Sequence, residues 1–166
     1  MKFARVALGT NNVDHCARVC HAPSVAGLRR TLGSGAMTNP IADVDETDCL
    51  LVVGADVTEN HAILGGRILA AHDRGVPLVV VDPRRSRLAR AADVHVQPRL
   101  GTDIALVNGM LHAIFAHGWE DRAYLDARCE NVEALRASVT AWTPDEAARV
   151  TGVPAALRAA STPARS

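Results

Sequence analysis

Two of the chain's four cysteines and two of its seven histidines fall within seven residues, at His15, Cys16, Cys20 and His21. An ionised thiol is both a nucleophile and a soft metal ligand, and a helix amino terminus or a basic neighbour favours that form. Both features surround Cys20. Arg18 precedes it by two residues, and Pro23-Ser24 opens an apolar pattern (Val25, Leu28, Leu32) at helical spacing, with Ser24 placed to cap the helix. Three chemistries suit the stretch. Cys16 and Cys20 with His15 or His21 can hold zinc, although no second cysteine pair follows at finger-like spacing. The thiols can equally be small, inert core hydrophobes. Or Cys20 alone binds a soft, redox-active metal centre while His21 handles protons.

Three polar stretches further on carry the other candidate chemistry. Residues 54–61, with Gly54, Asp56, Glu59, Asn60 and His61, lack G-x-G-x-x-G and so the ordinary dinucleotide fingerprint; they form either a ligand loop or a polar loop in which Thr58 or Asn60 caps a helix. In the stretch Asp82-Pro83-Arg84-Arg85, guanidinium forks suit phosphate oxygens and the carboxylate suits ribose hydroxyls or guanine N–H groups; the competing reading is a solvated turn with a local ion pair. In Gly101-Thr102-Asp103 the acid either offsets the dipole of a following helix or pairs with a guanine edge. His72, His95, His112 and His117 are scattered and read as surface or core-edge residues, Cys49 and Cys129 as structural thiols, and Trp119 and Trp142 as packing anchors.

The elements that must position these residues alternate regularly. Residues 49–54 and 76–81 are continuous apolar runs, the pattern of parallel strands buried on both faces. Between them, residues 62–72 present Ile63, Ile68, Leu69 and Ala71 at helical spacing and stop at Gly75. A short helix over 85–92, a third strand over 94–96 and a longer helix over 102–117 follow. This alternation predicts an α/β fold: a doubly wound, Rossmann-like parallel sheet with helices on both faces, then a helical C-terminal part at about 120–128, 132–141 and 144–149. Ligands of such sheets sit beyond the carboxyl ends of the strands, where the three polar stretches fall. Residues 3–8 suit a short strand or the end of a helix. Gly33 and Gly35 form a turn whose glycines serve either a positive φ or a close approach to a ligand. One α/β segment is expected over 1–158, followed by a polar, disordered tail at 159–166.

Composition excludes several classes. Eighteen basic residues balance eighteen acidic ones, which gives no electrostatic footprint for nucleic acid or a membrane surface. No apolar run approaches the ~20 residues of a membrane span. Four cysteines without framework spacing argue against a secreted disulfide scaffold. With no charged-then-apolar leader at the start, a cytoplasmic protein is expected. Hydrophobic residues at 48% with aromatics at 3% make Ala, Val and Leu the core material.

Residues 11–28 closely resemble the active-site segment of formate dehydrogenase catalytic subunits, in the molybdopterin oxidoreductase family, and the resemblance extends to about residue 158. In that family the position of Cys20 is a cysteine or selenocysteine bound to molybdenum or tungsten and followed by histidine; related nitrate reductases carry Cys-Met there. The resemblance therefore implies Cys20 as metal ligand and Cys20 with His21 as the catalytic pair. It also implies that Gly54, Asp56, Glu59, Asn60, His61, Asp82, Pro83, Arg84, Gly101, Thr102 and Asp103 line the site of one molybdopterin guanine dinucleotide of a bis-MGD cofactor. Two departures stand out: Ala22 where some members have Gly, and Asp56 where many have Asn, a carboxylate that cannot donate as the amide does. The implied reaction is formate to CO2, with electrons passing to a 4Fe–4S cluster. The family holds that cluster in a four-cysteine domain, a pattern this chain's cysteines do not supply. The expected partners are thus the remainder of the catalytic subunit and electron-transfer subunits, and the isolated chain is expected to be inactive. The alternatives are another molybdopterin oxidoreductase, nitrate reductase-like, or a non-catalytic truncated remnant that binds nucleotide or partner subunits.

Overall fold

The computed structural model describes residues 1–155; the predicted tail at 159–166 lies outside the described residues. The chain divides into two compact units, Met1–Pro40 and Ile41–Ser166.

The first unit is helical. Helix α1 (Lys2–Ala7) resolves the strand-or-helix ambiguity of residues 3–8 in favour of helix. A four-residue helix α2 (Ala17–Cys20) leads directly into α3 (Ala22–Leu32). Ser24 is not the cap of α3: His21 occupies that position without a side-chain bond, and Pro23 sits in the first turn. Proline's fixed φ and missing N–H suit that turn, so the helix starts before Ser24. Gly33 closes α3 at φ 76° with its N–H on Arg29 O. Gly35 packs against α3 instead, where a Cβ would lie 2.8 Å from Val25 Cγ1. Gly33 thus fills the positive-φ role, and the close approach at Gly35 is to the Val25 side chain. Ala4 is the unit's one buried residue; Val25 and Leu28 are half-buried and Leu32 is exposed.

The second unit opens with a 3-10 turn (Ile41–Asp45) and builds a three-stranded parallel sheet from β1 (Leu50–Val53), β2 (Leu78–Val81) and β3 (Val94–Val96), in the order β1-β2-β3. Leu50 pairs with Leu78, and Val79 with Val94. Helices α4 (Val57–Asn60) and α5 (Ala62–Asp73) connect the first two strands, and α6 (Arg87–Ala91) the next two. After β3 come α7 (Asp103–His117), α8 (Arg122–Arg128), α9 (Val132–Val139) and α10 (Pro144–Thr151).

Helices cover both faces, as the alternation of side chains requires. Leu50, Leu78 and Val80 pack with Ile68 and Ala71 of α5 and Leu88 of α6. Val81 and Val96, of opposite parity, pack with Leu106 of α7 and with Val153. Right-handed crossovers that move one way along a sheet stay on one face, so α5 and α6 share a face and α7 covers the other. Leu78, Val80 and Leu88 are fully buried, each burial contributing about 1.5–3 kcal/mol. One expectation fails here. Strand β1 is an edge, and Leu51 and Val53 on its α7 side are 52% and 50% exposed. A run of four apolar residues does not reveal that its strand lacks an outer neighbour. Ile63, expected in the apolar surface of α5, is likewise exposed. No helix among the described residues is long and apolar enough to cross a membrane.

Candidate functional site

Cys20 ends α2 and His21 begins α3, so both lie at the amino end of an 11-residue helix. Their backbones are fixed: Cys20 N–H donates to Cys16 O at 3.0 Å, His21 N–H to Ala17 O at 3.2 Å, and His21 O accepts from Val25 N–H at 2.9 Å. Their side chains are exposed, and among the described residues neither the thiol nor the imidazole has a hydrogen-bond or ionic partner. The flanking polar residues are instead engaged with one another. Asp14 accepts from His15 N–H (2.8 Å) and from Arg18 Nε (3.0 Å), and His15 Nδ1 accepts from Ala17 N–H while lying 4.0 Å from Cys16 Sγ. Arg18, the basic neighbour expected to favour a thiolate, is thus paired with Asp14.

The geometry separates the three readings of this stretch. All four cysteines are exposed, so neither the inert-core reading of Cys16 and Cys20 nor the structural reading of Cys49 and Cys129 holds. Among the described residues no group of three or more His, Cys, Asp or Glu is arranged to hold a metal, so the zinc arrangement is not assembled. What remains is one open thiol beside one open imidazole, able to supply a single soft ligand and a proton acceptor.

In the second unit the three polar stretches follow the carboxyl ends of the strands. Gly54 extends the β1–β2 ladder by one bond, its N–H on Val81 O (2.8 Å), and turns at φ 62°, where a Cβ would meet nothing within 4 Å. Asp56, 7% exposed, holds the cap position of α4 without a side-chain cap bond, its Oδ1 accepting the Thr58 hydroxyl at 2.8 Å; Thr58 and Asn60, expected as caps of the helix over 62–72, lie inside α4 instead. The tight α4 turn also relies on Gly65 of α5, where a Cβ would lie 2.8 Å from Val57 O. Glu59, Asn60 and His61 are exposed, and His61 caps α5 without a side-chain bond.

After β2, Asp82 is only 2% exposed, and its Oδ1 accepts from Arg84 N–H (2.7 Å) and Arg84 Nε (3.4 Å). The ion pair expected as the bland alternative is present, but its carboxylate is buried rather than solvated. Asp82 therefore organises its loop, and Arg84, 69% exposed on its side chain, is the group offered outward, beside exposed Pro83 and Arg85. The hydrogen bond and charge of Asp82 hold the Arg84 guanidinium above its ordinary pKa, with smaller contributions from Asp56 and Glu59.

After β3, Gly101 turns at φ 77° with open space at its Cβ position, Thr102 caps α7 through its backbone, and exposed Asp103 lies in the first turn of α7. No direct bond among the described residues links Asp103 to Asp82 or Arg84. Reasoning from sequence missed His95 and Gln97, whose side chains reach Asp82 O and Pro83 O; their alternate spacing on and just after β3 was the available signal. A cavity of about 390 Å³ lies elsewhere, between α8 and α9, lined by Arg122, Cys129 and Arg136 among others and by no candidate residue.

Comparison with known proteins agrees over nearly the whole chain. Residues 1–160 match the family described as molybdopterin oxidoreductase. The F420-dependent formate dehydrogenase subunit alpha of Methanocaldococcus jannaschii is 41% identical over 152 residues, 92% of this chain and 23% of that protein. Formate dehydrogenase H of Escherichia coli is 43% identical over 93% of this chain and 22% of its own length. Among solved structures, acetylene hydratase from Pelobacter acetylenicus superposes with a TM-score of 0.78 at 31% identity, covering 93% of this chain and 21% of that one. The chain thus spans under a quarter of the length of these relatives.

Proposed function

The chain belongs to the molybdopterin oxidoreductase family, a membership that implies a molybdopterin cofactor, and from that premise we propose that it is the α/β segment of a formate dehydrogenase catalytic subunit. The observation that carries the reading is the adjacent pair Cys20 and His21, both exposed at the start of α3 and without a partner among the described residues. The chain's residues fit the group: the open thiol of Cys20 suits a soft metal, exposed Arg84 and Arg85 suit phosphates, and open backbone at Gly54 and Gly101 admits a ligand closely. The cofactor is bis(molybdopterin guanine dinucleotide) with molybdenum or tungsten, and a 4Fe–4S cluster and electron-transfer subunits belong to the remainder of the enzyme.

Formate oxidation releases CO2, one proton and two electrons; the bound metal group supplies the two-electron acceptor. Cys20 provides the protein's sulfur ligand to that group. His21 orients formate and takes the proton as the C–H bond breaks, a task suited to an imidazole near neutral pH. Arg84 holds phosphate, Asp82 keeps Arg84 in place, and Gly101, Thr102 and Asp103 meet the guanine edge. Asp56 and the exposed Glu59, Asn60 and His61 face the nucleotide from the first loop.

A nitrate reductase-like enzyme is the rival within the family, and the hydratase named among the similar structures shows that the fold alone does not set the reaction. The test is a metal-loaded, full-length subunit carrying this segment, assayed for formate-dependent dye reduction and for nitrate-dependent oxidation of reduced dye. Formate turnover is expected. Nitrate turnover without formate turnover would replace the reading.

A further inference from the structure

We propose that His95 and Gln97 are positioning residues for the guanine-nucleotide end of the cofactor: β3 and the three residues after it form a template that sets the Asp82–Arg84 loop against the Gly101–Asp103 loop. The inference rests on the cofactor reading above. Three alternate residues supply it. His95 Nε2 lies 2.9 Å from Asp82 O; a carbonyl only accepts, so the imidazole carries its proton on Nε2 and donates. Gln97 Nε2 donates to Pro83 O at 3.2 Å. Arg99 O accepts both the N–H of Thr102 (3.3 Å) and its hydroxyl (2.6 Å). The second loop is thereby held at two successive carbonyls and the third loop at Thr102, all from residues 95, 97 and 99.

The template is anchored at both ends. At the strand, Asp82 N–H donates to Val96 O at 3.1 Å. Beyond it, Arg99 N–H donates to Thr151 O (2.8 Å), and Arg99 Nη1 donates to Arg149 O (3.1 Å), which ties the segment to the end of α10. Gly152 leaves room for that tie: a Cβ there would sit 3.1 Å from Arg99 Nε, at a φ of 73° that disfavours any other residue. The consequence reaches the ligand-facing group through a short relay. His95 fixes the Asp82 carbonyl, the Asp82 carboxylate fixes the Arg84 N–H at 2.7 Å, and Arg84 carries the exposed guanidinium. Loop spacing, rather than a glycine-rich fingerprint, then sets the distance between a phosphate-binding arginine and a guanine-reading aspartate.

The experiment uses the 166-residue chain, with amide hydrogen exchange read by NMR and GMP as the nucleotide probe, in wild type, His95→Leu, His95→Gln and Gln97→Ala. Gln97 is exposed, so its variant tests the template even if His95→Leu fails to fold. Loss of one hydrogen bond should speed exchange of the Arg84 amide about three- to tenfold and weaken GMP binding by a similar factor, while the amides of Val79 and Val80 keep their rates. His95→Gln, which retains an N–H donor, should recover part of both effects. An Arg84 amide unmoved in both His95→Leu and Gln97→Ala, or one that speeds up only together with the β2 amides, overturns the template. Failure of wild type to bind GMP overturns the cofactor reading instead, and the two failures are read separately.

Discussion

Cys20 and His21 are neighbours in the chain, yet a thiolate ligand and a proton acceptor act in different steps. Removing each should leave a different remainder of function. In a full-length enzyme, Cys20→Ala should abolish turnover and lower metal content, because it removes the soft sulfur ligand. His21→Ala should keep the metal and lose about 10²–10⁴-fold in rate, the usual size of a general acid–base contribution. Deuterated formate sharpens the distinction, since slowing proton transfer makes C–H cleavage more nearly rate-limiting and should enlarge the isotope effect in His21→Ala. Near wild-type turnover in Cys20→Ala with unchanged metal would show that the thiol's exposure is incidental. The adjacency of the two residues was legible in the sequence, while their roles as ligand and proton acceptor are what the family resemblance implies. The pairing of Arg18 with Asp14 was not legible, because Asp14 precedes α2 and reaches Arg18 through an irregular turn that no helical spacing announces.

Among the elements, the α7–α9 region carries the least expected electrostatics. Glu120 lies between α7 and α8 with its side chain 4% exposed, and its Oε1 meets Arg136 Nη2 at 3.0 Å and Arg122 Nε at 3.5 Å. Arg136 also lies 4.4 Å over the Phe115 ring, which ties α9 back to α7. The Glu120 backbone N–H, then Arg136, hold this carboxyl below its ordinary value of 4.5. In that interval the unfolded chain binds the proton and the native chain does not, so stability rises with pH through it and is lost as pH falls toward the native pKa. Melting temperature should therefore fall more steeply from about pH 5 to about pH 3 in wild type than in Glu120→Gln. Glu146, lowered by its bond to Arg149, titrates in both proteins and cancels from the comparison. Parallel melting curves across that range would mean that Glu120 is not held as an ion. Helices 120–128 and 132–141 could be placed from periodicity, but the partner of Glu120 could not, since the contact joins residues sixteen apart with all of α8 between them.

At the scale of the whole chain, the legible part of the fold was the part written in local pattern. The Leu-Val runs, Gly75 and the 102–117 periodicity each specify an element through its own residues, and the parallel sheet follows from their alternation. Strand order was not local. That β1 lies at an edge, with Leu51 and Val53 half open, depends on which strand lies beside it, and four apolar residues in a row look the same at an edge or in the middle. The candidate loops were legible by their position after strands, while the template at His95 and Gln97 required the register of β3 to be seen. The two units also differ in how they are held. Ile41–Ser166 contains two clusters of buried side chains around β2, whereas among residues 1–40 only Ala4 is buried. Helix α3, at 11 residues, is shorter than the ~12–15 at which an isolated helix becomes even marginally stable in water. Cooperative burial is what confers slow exchange, so in the 166-residue chain the amides of α3 should exchange close to unfolded-peptide rates. Those of Leu78–Val81 should be protected by at least about 10³-fold. Native-state exchange at neutral pH measures both in one sample. Equal protection of α3 and β2 would mean that the Cys20 segment is held by something other than its own buried side chains.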